Sequence, residues 1–448
     1  MVCFDLGYYN SLHHSDFGPQ MLTRWLYTLA FYLAIPILLF RLVKRVKKNP
    51  AYRHRIRERF GLYPPGKPLQ GALWFHTVSV GEFLAAKPLI DRILQTYPDT
   101  PCLITTMTPT GSERVRQAYS EPLASGRVRH VYLPYDLPDA LGRFLKRFDP
   151  RLLVIMETEL WPNMIHYTHQ RGVPIVVANA RLSEKSANGY RKILPLFRPM
   201  MREVALIAAQ SDADGERFVE MGLPPGNLQV TGTIKFDLDI KPDTVGEARA
   251  LREQWGGQRK VFIAASTHEG EDEQVLEAFL YLRSKVPESL LVIVPRHPER
   301  FEEVANLVVA RGLKLSRVSK DEAVAPDTDV VLGDTMGQLL KMLGASDVAF
   351  IGGSLVPVGG HNMLEALVMG APALTGPHVF NFQVVAQMLT ELEVLKTVTT
   401  PLGLGQAVES LFTDEESRYA LSKRGKYVVD ENRGAMDRLF GLICQQIS

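Results

Sequence analysis

The stretch at residues 348–372, VAFIGGSLVPVGGHNMLEALVMGAP, decides the fold class of this chain. It opens with an apolar run that is typical of a short buried strand. Two glycine pairs then break the chain, and the apolar spacing over residues 364–368 predicts a helix that ends near Gly370. Asn362 is a good N-cap for this helix, and Glu365, three residues later, suits a capping box. A strand, a glycine loop and a helix in this order point backbone N–H groups at an anion, so we favour an anion or nucleotide site over an ordinary turn.

Length and composition indicate a globular protein of two or three domains. The chain has 448 residues, of which 46% are hydrophobic and 22% charged, and its formal net charge of +2 gives no argument for nucleic-acid binding. The three cysteines, Cys3, Cys102 and Cys444, are scattered and odd in number. The sequence therefore predicts neither a disulfide framework nor a zinc site, and it fits a reducing compartment.

The N-terminal part predicts a membrane anchor within residues 21–50. Residues 1–20 look like an irregular tail, and translation could start at Met21. Residues 26–40, LYTLAFYLAIPILLF, carry no charge and are short for a full span of about 20 apolar residues. A basic run over 41–59 follows, which places that side in the cytoplasm by the positive-inside rule and argues against a cleaved signal peptide. We expect an uncleaved anchor, and a helix that lies in the membrane interface is the main alternative.

From residue 72 onward, apolar strands alternate with amphipathic helices. This repetition predicts parallel, doubly wound sheets and two Rossmann-like domains, over 51–240 and 241–448, joined by a polar connector near 236–258. The last helix, over about 415–447, could pack back on the first domain. We expect a ligand in the cleft between the domains. Strands are predicted at 73–76, 102–106, 131–134, 152–156, 175–179, 207–209, 261–265, 290–295, 330–332 and 348–351.

Two segments of the first domain carry candidate catalytic carboxylates. HTVSVGE, residues 76–82, places Glu82 just past a strand end, where it either acts as a general base or favours the positive end of the next helix. METELWPN, residues 156–163, places Glu157 and Glu159 after a buried strand, and in an extended strand these two side chains would point the same way. For this pair we favour a functional role over helix capping.

The loops of the second half carry groups that bind phosphate or carboxylate. VPRHPER, residues 294–300, places Arg296 and His297 after a fully apolar strand, and arginine suits bidentate recognition of either anion. AASTHEGED, residues 264–272, offers two hydroxyl groups, and GDTMGQ, residues 333–338, opens a further predicted helix.

Two further features of the sequence are also consistent with ordinary surface residues that bind no ligand. Lys235, in TGTIKFD at the domain junction, is a candidate anion ligand, but a solvated surface lysine is equally consistent. His166 and His169 have a spacing that can bind a metal ion, yet no third ligand is in sight, so we interpret them as surface histidines. The chain contains no Walker lysine motif, no GxSxG elbow and no GxGxxG.

Taken together and in this order, the segments HTVSVGE, ETELWPN, VPRHP, GDTMG and GGHN closely resemble those of the Kdo transferases, bacterial glycosyltransferases of lipopolysaccharide assembly. The resemblance covers the chain from about residue 21 onward. It implies a GT-B fold, with the active site between two Rossmann-like domains and with neither a cofactor nor a catalytic metal. It also implies inverting transfer of 3-deoxy-D-manno-oct-2-ulosonic acid (Kdo) from CMP-Kdo to the lipid A precursor lipid IVA, at the cytoplasmic face of the inner membrane.

The resemblance also implies roles for individual residues. Glu82 resembles the general base that deprotonates the acceptor hydroxyl, and Glu157 and Lys235 resemble residues that assist the transition state. Arg296 and the helix after Asn362 would stabilise the phosphate of the departing CMP. The segments that resemble the CMP-binding ones comprise Pro295, Arg296 and His297, then Met336, Gly337 and Gln338, then Asn362, Met363, Leu364 and Glu365.

The chain departs from the family pattern at four positions. Thr233 stands where asparagine is usual, Gln338 where an acid is usual, and Met363 and Ala366 where prolines are usual. Gln338 keeps the capacity to form hydrogen bonds but loses the negative charge.

Two other functions are alternatives to Kdo transfer. The chain could be another GT-B transferase that uses a UDP-sugar, but the ETELWP and HTVSVGE segments argue against this alternative. It could instead be an inactive, membrane-anchored nucleotide-binding scaffold, but the joint presence of Glu82, Lys235 and Arg296 argues against a scaffold.

Overall fold

The computed structural model describes residues 19–64, 66, 68–238 and 240–447. The chain folds as two compact units. The first runs to Ile234 and resumes at Gly434, and the second comprises Lys235–Arg433. The predicted N-terminal tail lies outside the described residues except for Pro19 and Gln20, which begin the first helix.

The first unit contains one parallel sheet with helices on both faces. The strands are buried almost throughout, as expected of a sheet covered on both sides. Its strands are Ala72–His76 (β1), Cys102–Thr106 (β2), Val128–Tyr132 (β3), Pro150–Met156 (β4), Ile175–Ala180 (β5), Leu206–Ala209 (β6) and Leu228–Val230 (β7). They lie in the order β3-β2-β1-β4-β5-β6-β7.

The helices of this unit bury apolar residues on the two faces of the sheet. They are Pro19–Lys48 (α1), Val80–Thr96 (α2), Pro109–Ala118 (α3), Ser120–Ala124 (α4), Pro138–Phe148 (α5), Pro162–His169 (α6), Glu184–Arg191 (α7), Leu194–Arg202 (α8), Asp212–Glu220 (α9) and, from the far end of the chain, Ala435–Ile447.

The second unit repeats the architecture with a second parallel sheet. Its strands are Val261–Thr267 (β8), Leu290–Pro295 (β9), Leu315–Arg317 (β10), Val330–Leu332 (β11), Val348–Ile351 (β12), Ala373–Thr375 (β13) and Leu395–Thr397 (β14). They lie in the order β10-β11-β9-β8-β12-β13-β14. The helices are Pro242–Gln254 (α10), Asp272–Lys285 (α11), Phe301–Ala310 (α12), Leu339–Gly344 (α13), Leu364–Met369 (α14), Gln383–Glu391 (α15), Pro401–Thr413 (α16) and Glu415–Glu431 (α17). The prediction of two doubly wound parallel sheets is confirmed.

Two predicted segments differ from the structure. The polar connector near residues 236–258 is largely helix α10, because Pro242 stands at its first turn with Asp243 beside it, and both residues favour a helix start. The prediction of a single C-terminal helix is wrong. Gly434, at φ +86°, separates α17 from a second helix, Ala435–Ile447 (α18). Ala435, Leu439 and Ile443 of α18 are fully buried in the core of the first unit.

Helix α1 carries the predicted anchor segment. Its residues Leu22–Lys47 form a helix that is long and apolar enough to cross a membrane by length and composition. Most of its large apolar side chains are exposed, among them Leu26, Leu33 and Phe40. The prediction of one long apolar N-terminal helix is therefore confirmed.

Candidate active site

The strand order places two catalytic candidates on neighbouring strands. In open parallel sheets, ligand sites lie beyond the carboxyl ends of the strands where the strand order reverses. In the first sheet this point lies between β1 and β4, which are paired although the chain visits two other strands between them. Glu82 follows β1 and Glu157 follows β4, so both predicted carboxylates stand at this edge of the sheet.

The Glu82 carboxylate is held in place by the start of helix α2. Ser79 is the N-cap residue, and its Oγ accepts a hydrogen bond from the Glu82 N–H at 3.3 Å. In return, Glu82 Oε1 accepts from Ser79 Oγ at 2.8 Å, and Oε2 accepts from the Val78 N–H at 2.7 Å. The residue therefore has the capping contacts of its helix, and these same contacts fix the direction of its carboxylate.

The surroundings of Glu82 raise the pKa of its carboxyl group to about 7, chiefly through burial. The two hydrogen bonds lower the pKa, and the charges of Glu159 and Glu157 raise it further. Like charges disfavour the ionised form of a carboxyl group, so both neighbours act in the same direction as burial. Glu82 can therefore accept a proton at neutral pH, as a general base must.

Glu157 departs from the predicted strand geometry. Strand β4 ends at Met156, and Glu157 takes a left-handed conformation with φ +58° while its N–H donates to the Ala178 carbonyl at 2.9 Å. The expectation that Glu157 and Glu159 lie in an extended strand is therefore wrong. Glu159 instead accepts a hydrogen bond from Trp161 Nε1 at 3.0 Å and does not cap helix α6.

His76, the first residue of the HTVSVGE segment, is a buried residue that contacts Thr105 and Trp161 at this edge of the sheet. It is fully buried, which lowers the pKa of its imidazole to about 3 and keeps the ring neutral. Its Nδ1 lies 2.9 Å from Thr105 Oγ1, and its ring packs edge-on against Trp161 at 5.8 Å between centroids. The sequence signal for this role is a histidine at the end of an otherwise apolar strand.

The second sheet has its own reversal point, between β8 and β12. The loop after β8 carries His268 and Glu271, and the loop after β12 carries the glycine-rich stretch around Gly353. Arg296 follows the next strand, β9, which pairs with β8. The glycine-rich stretch, the AASTHEGED loop and the VPRHPER loop thus meet at one edge of this sheet, although the chain separates them.

Glu271 connects two of these loops through hydrogen bonds. It is fully buried, and Oε2 accepts from the N–H groups of His268 at 3.0 Å and Gly353 at 2.5 Å. Oε1 accepts from the N–H groups of Ser354 at 2.9 Å and Leu355 at 2.8 Å. A carboxylate that satisfies four backbone donors holds the glycine loop to the start of helix α11.

Three histidines lie together beside Arg296. His268 Nε2 lies 2.8 Å from His361 Nε2, and the His297 ring packs edge-on against His268 at 5.1 Å. Burial, followed by the charges of His268 and Arg296, lowers the pKa of His361 to about 4. Burial likewise lowers the pKa of His268. Because burial disfavours the charged forms of His268 and His361, the exposed Arg296 is the positive group beside these two rings.

The residues after His361 form a modified helix cap. Met363 is the N-cap residue of α14, one position later than predicted, and Asn362 Oδ1 accepts from the Leu364 N–H at 3.2 Å. Asn362 Nδ2 donates to Glu365 Oε1 at 3.3 Å. Burial raises the pKa of Glu365. The hydrogen bond from Asn362 and the positive charge of Arg296 lower this pKa and so offset part of the rise. The side chains of Met363 and Leu364 are fully buried, so a ligand could reach these two residues only through the backbone.

The remaining predicted binding residues are exposed around this edge or support it. Pro295 is buried as the last residue of β9, and His297 is exposed. Met336 is 62% exposed, and Gly337 has φ +81°. The helix predicted to open within residues 333–338 begins only at Leu339, with Gln338 as its N-cap, because the positive φ of Gly337 is not helical.

Lys235 lies in the second unit, against a loop that the sequence analysis did not single out. Its Nζ donates to the Asn381 carbonyl at 3.3 Å and lies 4.8 Å from the centre of the Phe382 ring. The Asn381 N–H donates to the Gly359 carbonyl at 3.0 Å. Lys235 therefore stands next to the second glycine pair. The sequence signal for this loop is the polar–aromatic pair Asn381–Phe382, directly before helix α15.

The paired histidines of α6 do not form a metal site. His166 Nδ1 lies 2.6 Å from Glu203 Oε1, and both side chains are largely covered. Over the described ranges, no group of three or more His, Cys, Asp or Glu side chains is placed to hold a metal ion. The contact with Glu203 indicates that His166 has a structural role.

Comparison with known proteins identifies relatives of this chain. Residues 54–238 match the family model described as 3-deoxy-D-manno-octulosonic-acid transferase (kdotransferase). The 3-deoxy-D-manno-octulosonic acid transferase of Haemophilus influenzae is 44% identical over 423 residues, which cover 94% of this chain and 98% of that protein. The transferase of the same name from Bordetella pertussis is 34% identical, over 83% of this chain and 86% of its own length.

A solved structure supports the fold. The crystal structure of a glycosyltransferase from Rickettsia africae superposes with a TM-score of 0.52 over 84% of this chain and 98% of that one, at 11% identity. The architecture of two parallel α/β sheets is that of the GT-B glycosyltransferases. The extent of the identity to the two bacterial transferases shows that this chain belongs to the 3-deoxy-D-manno-octulosonic acid (Kdo) transferases.

Proposed function

We propose that this Kdo transferase moves Kdo from CMP-Kdo to lipid IVA, with inversion at the sugar and without a catalytic metal. Glu82 is the general base, and the reaction takes place at the cytoplasmic face of the inner membrane. The observation that carries the proposal is the Glu82 carboxyl group, whose pKa is raised to about 7 and whose direction is fixed by Ser79 and Val78.

In the proposed step, an acceptor hydroxyl oxygen attacks the anomeric carbon of Kdo. Its proton passes to Glu82, and the bond from the anomeric carbon to the CMP phosphate oxygen breaks with its electron pair leaving on CMP. A base whose pKa lies near the working pH combines a useful ionised fraction with a strong drive to take the proton. The Glu157 carboxylate can stabilise positive charge that develops on the sugar as the donor bond stretches.

The second unit supplies groups for the departing nucleotide. Arg296 presents a guanidinium group at the edge where the loops after β8, β9 and β12 meet, and guanidinium suits a phosphate. Glu365, held by Asn362, has a carboxylate that can accept hydrogen bonds from ribose hydroxyls. Lys235, beside the Gly359 loop, would offset negative charge on the donor. Pro295, His297 and the Met336–Gly337–Gln338 turn complete the proposed CMP-binding set.

The N-terminal helix supplies the proposed attachment to the membrane. Helix α1 exposes an apolar surface, and its last turns carry the basic residues that favour the cytoplasmic side. The acceptor lipid IVA is held in the same membrane, and its phosphates suit a basic surface. The enzyme thus meets its acceptor without extracting it from the bilayer.

The test is Glu82→Gln, with Glu113→Gln as the matched control. Glutamine at position 82 keeps the capping contacts of α2, so the fold should persist, but it cannot accept the proton. Transfer of Kdo to lipid IVA, followed by mass spectrometry with CMP-Kdo generated in situ, should fall by about 10²–10⁴-fold. CMP binding measured by calorimetry should not change. Glu113 is exposed on α3, and E113Q should retain full activity. Activity of E82Q near the level of the unaltered enzyme would remove Glu82 from the base role.

A further inference from the structure

We infer that helix α1 lies in the plane of the membrane surface, with its apolar outer face in one leaflet, and does not cross the bilayer. The inference rests on the membrane attachment proposed above and goes beyond it, because it decides how the helix is attached. It follows from a difference between the two faces of this helix: one face packs on the first unit, and the other exposes apolar side chains.

One face of α1 packs on the first unit, and the contacts of its side chains with the folded core lie between Thr23 and Tyr32. Its covered side chains recur at intervals of three or four residues, which is one stripe of a helix. Tyr27, in this stripe, donates from its OH to Asp136 Oδ2 at 2.9 Å, and Thr28 Oγ1 donates to Asn163 Oδ1 at 3.2 Å. The buried or half-buried residues are Thr23, Arg24, Tyr27, Thr28, Phe31, Ala34, Ile35, Leu38, Leu42 and Val46.

The polar partners of this face belong to the folded core of the first unit. Asp136 is almost fully buried, and it also accepts hydrogen bonds from the Asn163 N–H at 3.0 Å and the Met164 N–H at 2.7 Å. Asn163 Nδ2 donates in turn to Thr28 Oγ1 at 3.0 Å. The contact with α1 is thus built into the start of helix α6 and is not a loose surface contact.

A crossing that kept these contacts would leave too little uncharged helix beyond them to span a bilayer. Beyond Tyr32, the last docked polar residue, the uncharged segment to Phe40 measures only about 12 Å against the ~30 Å of the hydrocarbon core. A crossing that kept these contacts would place Asp139, which accepts from the Tyr32 OH at 2.7 Å, and its ion-pair partner Arg143 in hydrocarbon. Charged groups are strongly disfavoured there.

The opposite face of α1 has the chemistry of a lipid-facing surface. Its apolar side chains recur at the same helical spacing and are between 55% and 72% exposed: Leu22, Trp25, Leu26, Leu29, Leu33, Ile37 and Phe40. Arg41, Lys44 and Lys47 follow at the C-terminal end, where they can contact anionic headgroups. An apolar stripe, an aromatic residue and a basic end are typical of a helix that lies at the boundary of headgroups and acyl chains.

The test determines on which side of the membrane the two ends of α1 lie. In full-length protein with Cys3→Ser, Cys102→Ala and Cys444→Ser, single probes are introduced as Gln20→Cys or Arg57→Cys. Spheroplasts are treated with a membrane-impermeant maleimide before and after permeabilisation, and the membrane fraction is analysed. An in-plane helix keeps both ends in the cytoplasm, so we expect neither probe to be labelled in intact spheroplasts and both to be labelled after permeabilisation.

The other outcomes separate this inference from the proposed location. Labelling of Gln20→Cys alone in intact spheroplasts would show a helix that crosses the membrane, which overturns the inference and leaves the proposed function intact. Labelling of both probes, or recovery of the protein in the soluble fraction, would contradict the proposed cytoplasmic membrane attachment and the inference with it.

A second measurement tests the occupant of the outer face. Binding of the purified chain to vesicles of phosphatidylethanolamine and phosphatidylglycerol should weaken by about a hundredfold in the double variant Leu29→Gln, Leu33→Gln, from the loss of two buried leucine side chains. Leu84→Gln, a similarly exposed leucine on α2, is the matched control and should bind as before. If the double variant binds unchanged but converts a soluble dimer to a monomer, the face contacts a second copy and the inference is wrong.

Discussion

The Nε2 atoms of His268 and His361 lie 2.8 Å apart, so one proton joins two imidazole rings that follow neighbouring strands of the second sheet. In a neutral pair, one ring donates its N–H and the other accepts. The contact links the loop after β8 to the loop after β12, and these loops also carry Glu271 and the residues of the proposed CMP site. The pair is therefore part of the support of that site.

A double-mutant cycle should measure this link. His268→Ala and His361→Ala each leave the remaining imidazole without its partner, so their effects on the free energy of unfolding should couple by about 1 kcal/mol. His268 and His297, which touch only through their rings at 5.1 Å, form the control cycle and should couple by less than about 0.5 kcal/mol. Equal coupling in the two cycles would show that the proton between His268 and His361 adds nothing.

The pH profile of the enzyme should report the ionisation of Glu82. The base must be deprotonated, and burial raises its pKa to about 7, so kcat/KM should rise with pH and level off above that value. Glu159→Gln removes a negative charge that raises this pKa, and the acidic limb of the profile should move to lower pH. A profile that is flat between pH 5 and 8, or a limb that Glu159→Gln leaves in place, would contradict the assignment.

Glu271→Gln should weaken both the fold of the second unit and the binding of CMP. The amide nitrogen of glutamine cannot accept the backbone hydrogen bonds that one carboxylate oxygen now accepts, and a buried donor facing another donor costs about 2–4 kcal/mol. Urea unfolding and calorimetric titration with CMP measure the two effects. The exposed neighbour Glu269→Gln is the control and should change neither. Normal CMP affinity in a folded Glu271→Gln variant would show that the glycine loop does not depend on this carboxylate.

Gly352→Ala should disrupt the same loop from the backbone side. A Cβ atom at residue 352 would come within 2.6 Å of the Ser266 carbonyl oxygen and 2.8 Å of the Thr267 Cα, and neither backbone atom can move aside cheaply. We expect a loss of thermal stability together with a loss of transferase activity. In contrast, Gly142→Ala, inside α5 with open space around its Cβ position, should stabilise the chain by about 0.5–1 kcal/mol.

The strands of both sheets were largely predictable because they are buried on both faces. Continuous apolar runs give β2, β9 and β12 with the bounds that the structure shows. Strand β3 was placed three residues late, because Arg129 interrupts its apolar pattern and Tyr132–Leu133 continues it beyond the strand. The short strands β7, β10, β13 and β14 were not predicted, because each of these three-residue strands contains a polar residue. Strand β11 is equally short but wholly apolar, and it was predicted.

The candidate catalytic carboxylates were predictable as residues, but their geometry was not. Glu82 and Glu157 stand at strand ends that can be read from apolar runs, so their places in the chain followed from the sequence. The left-handed turn at Glu157, and the shared proton of His268 and His361, depend on contacts between distant parts of the chain. The same holds for Glu271, whose four backbone partners lie on two separate loops.

The first unit cannot complete its core during synthesis until residues 435–447 have left the ribosome, because Leu439 and Ile443 of α18 fill the space against its sheet. The whole of the second unit is made before them. The unit whose first residues emerge earliest is therefore the last to close, and its nascent form exposes an apolar groove while the second unit folds. Translation that stops shortly after Arg433 would release a chain with a complete second unit and an incomplete first unit. We expect chaperones and proteases to act on such a chain, because its first unit exposes apolar surface.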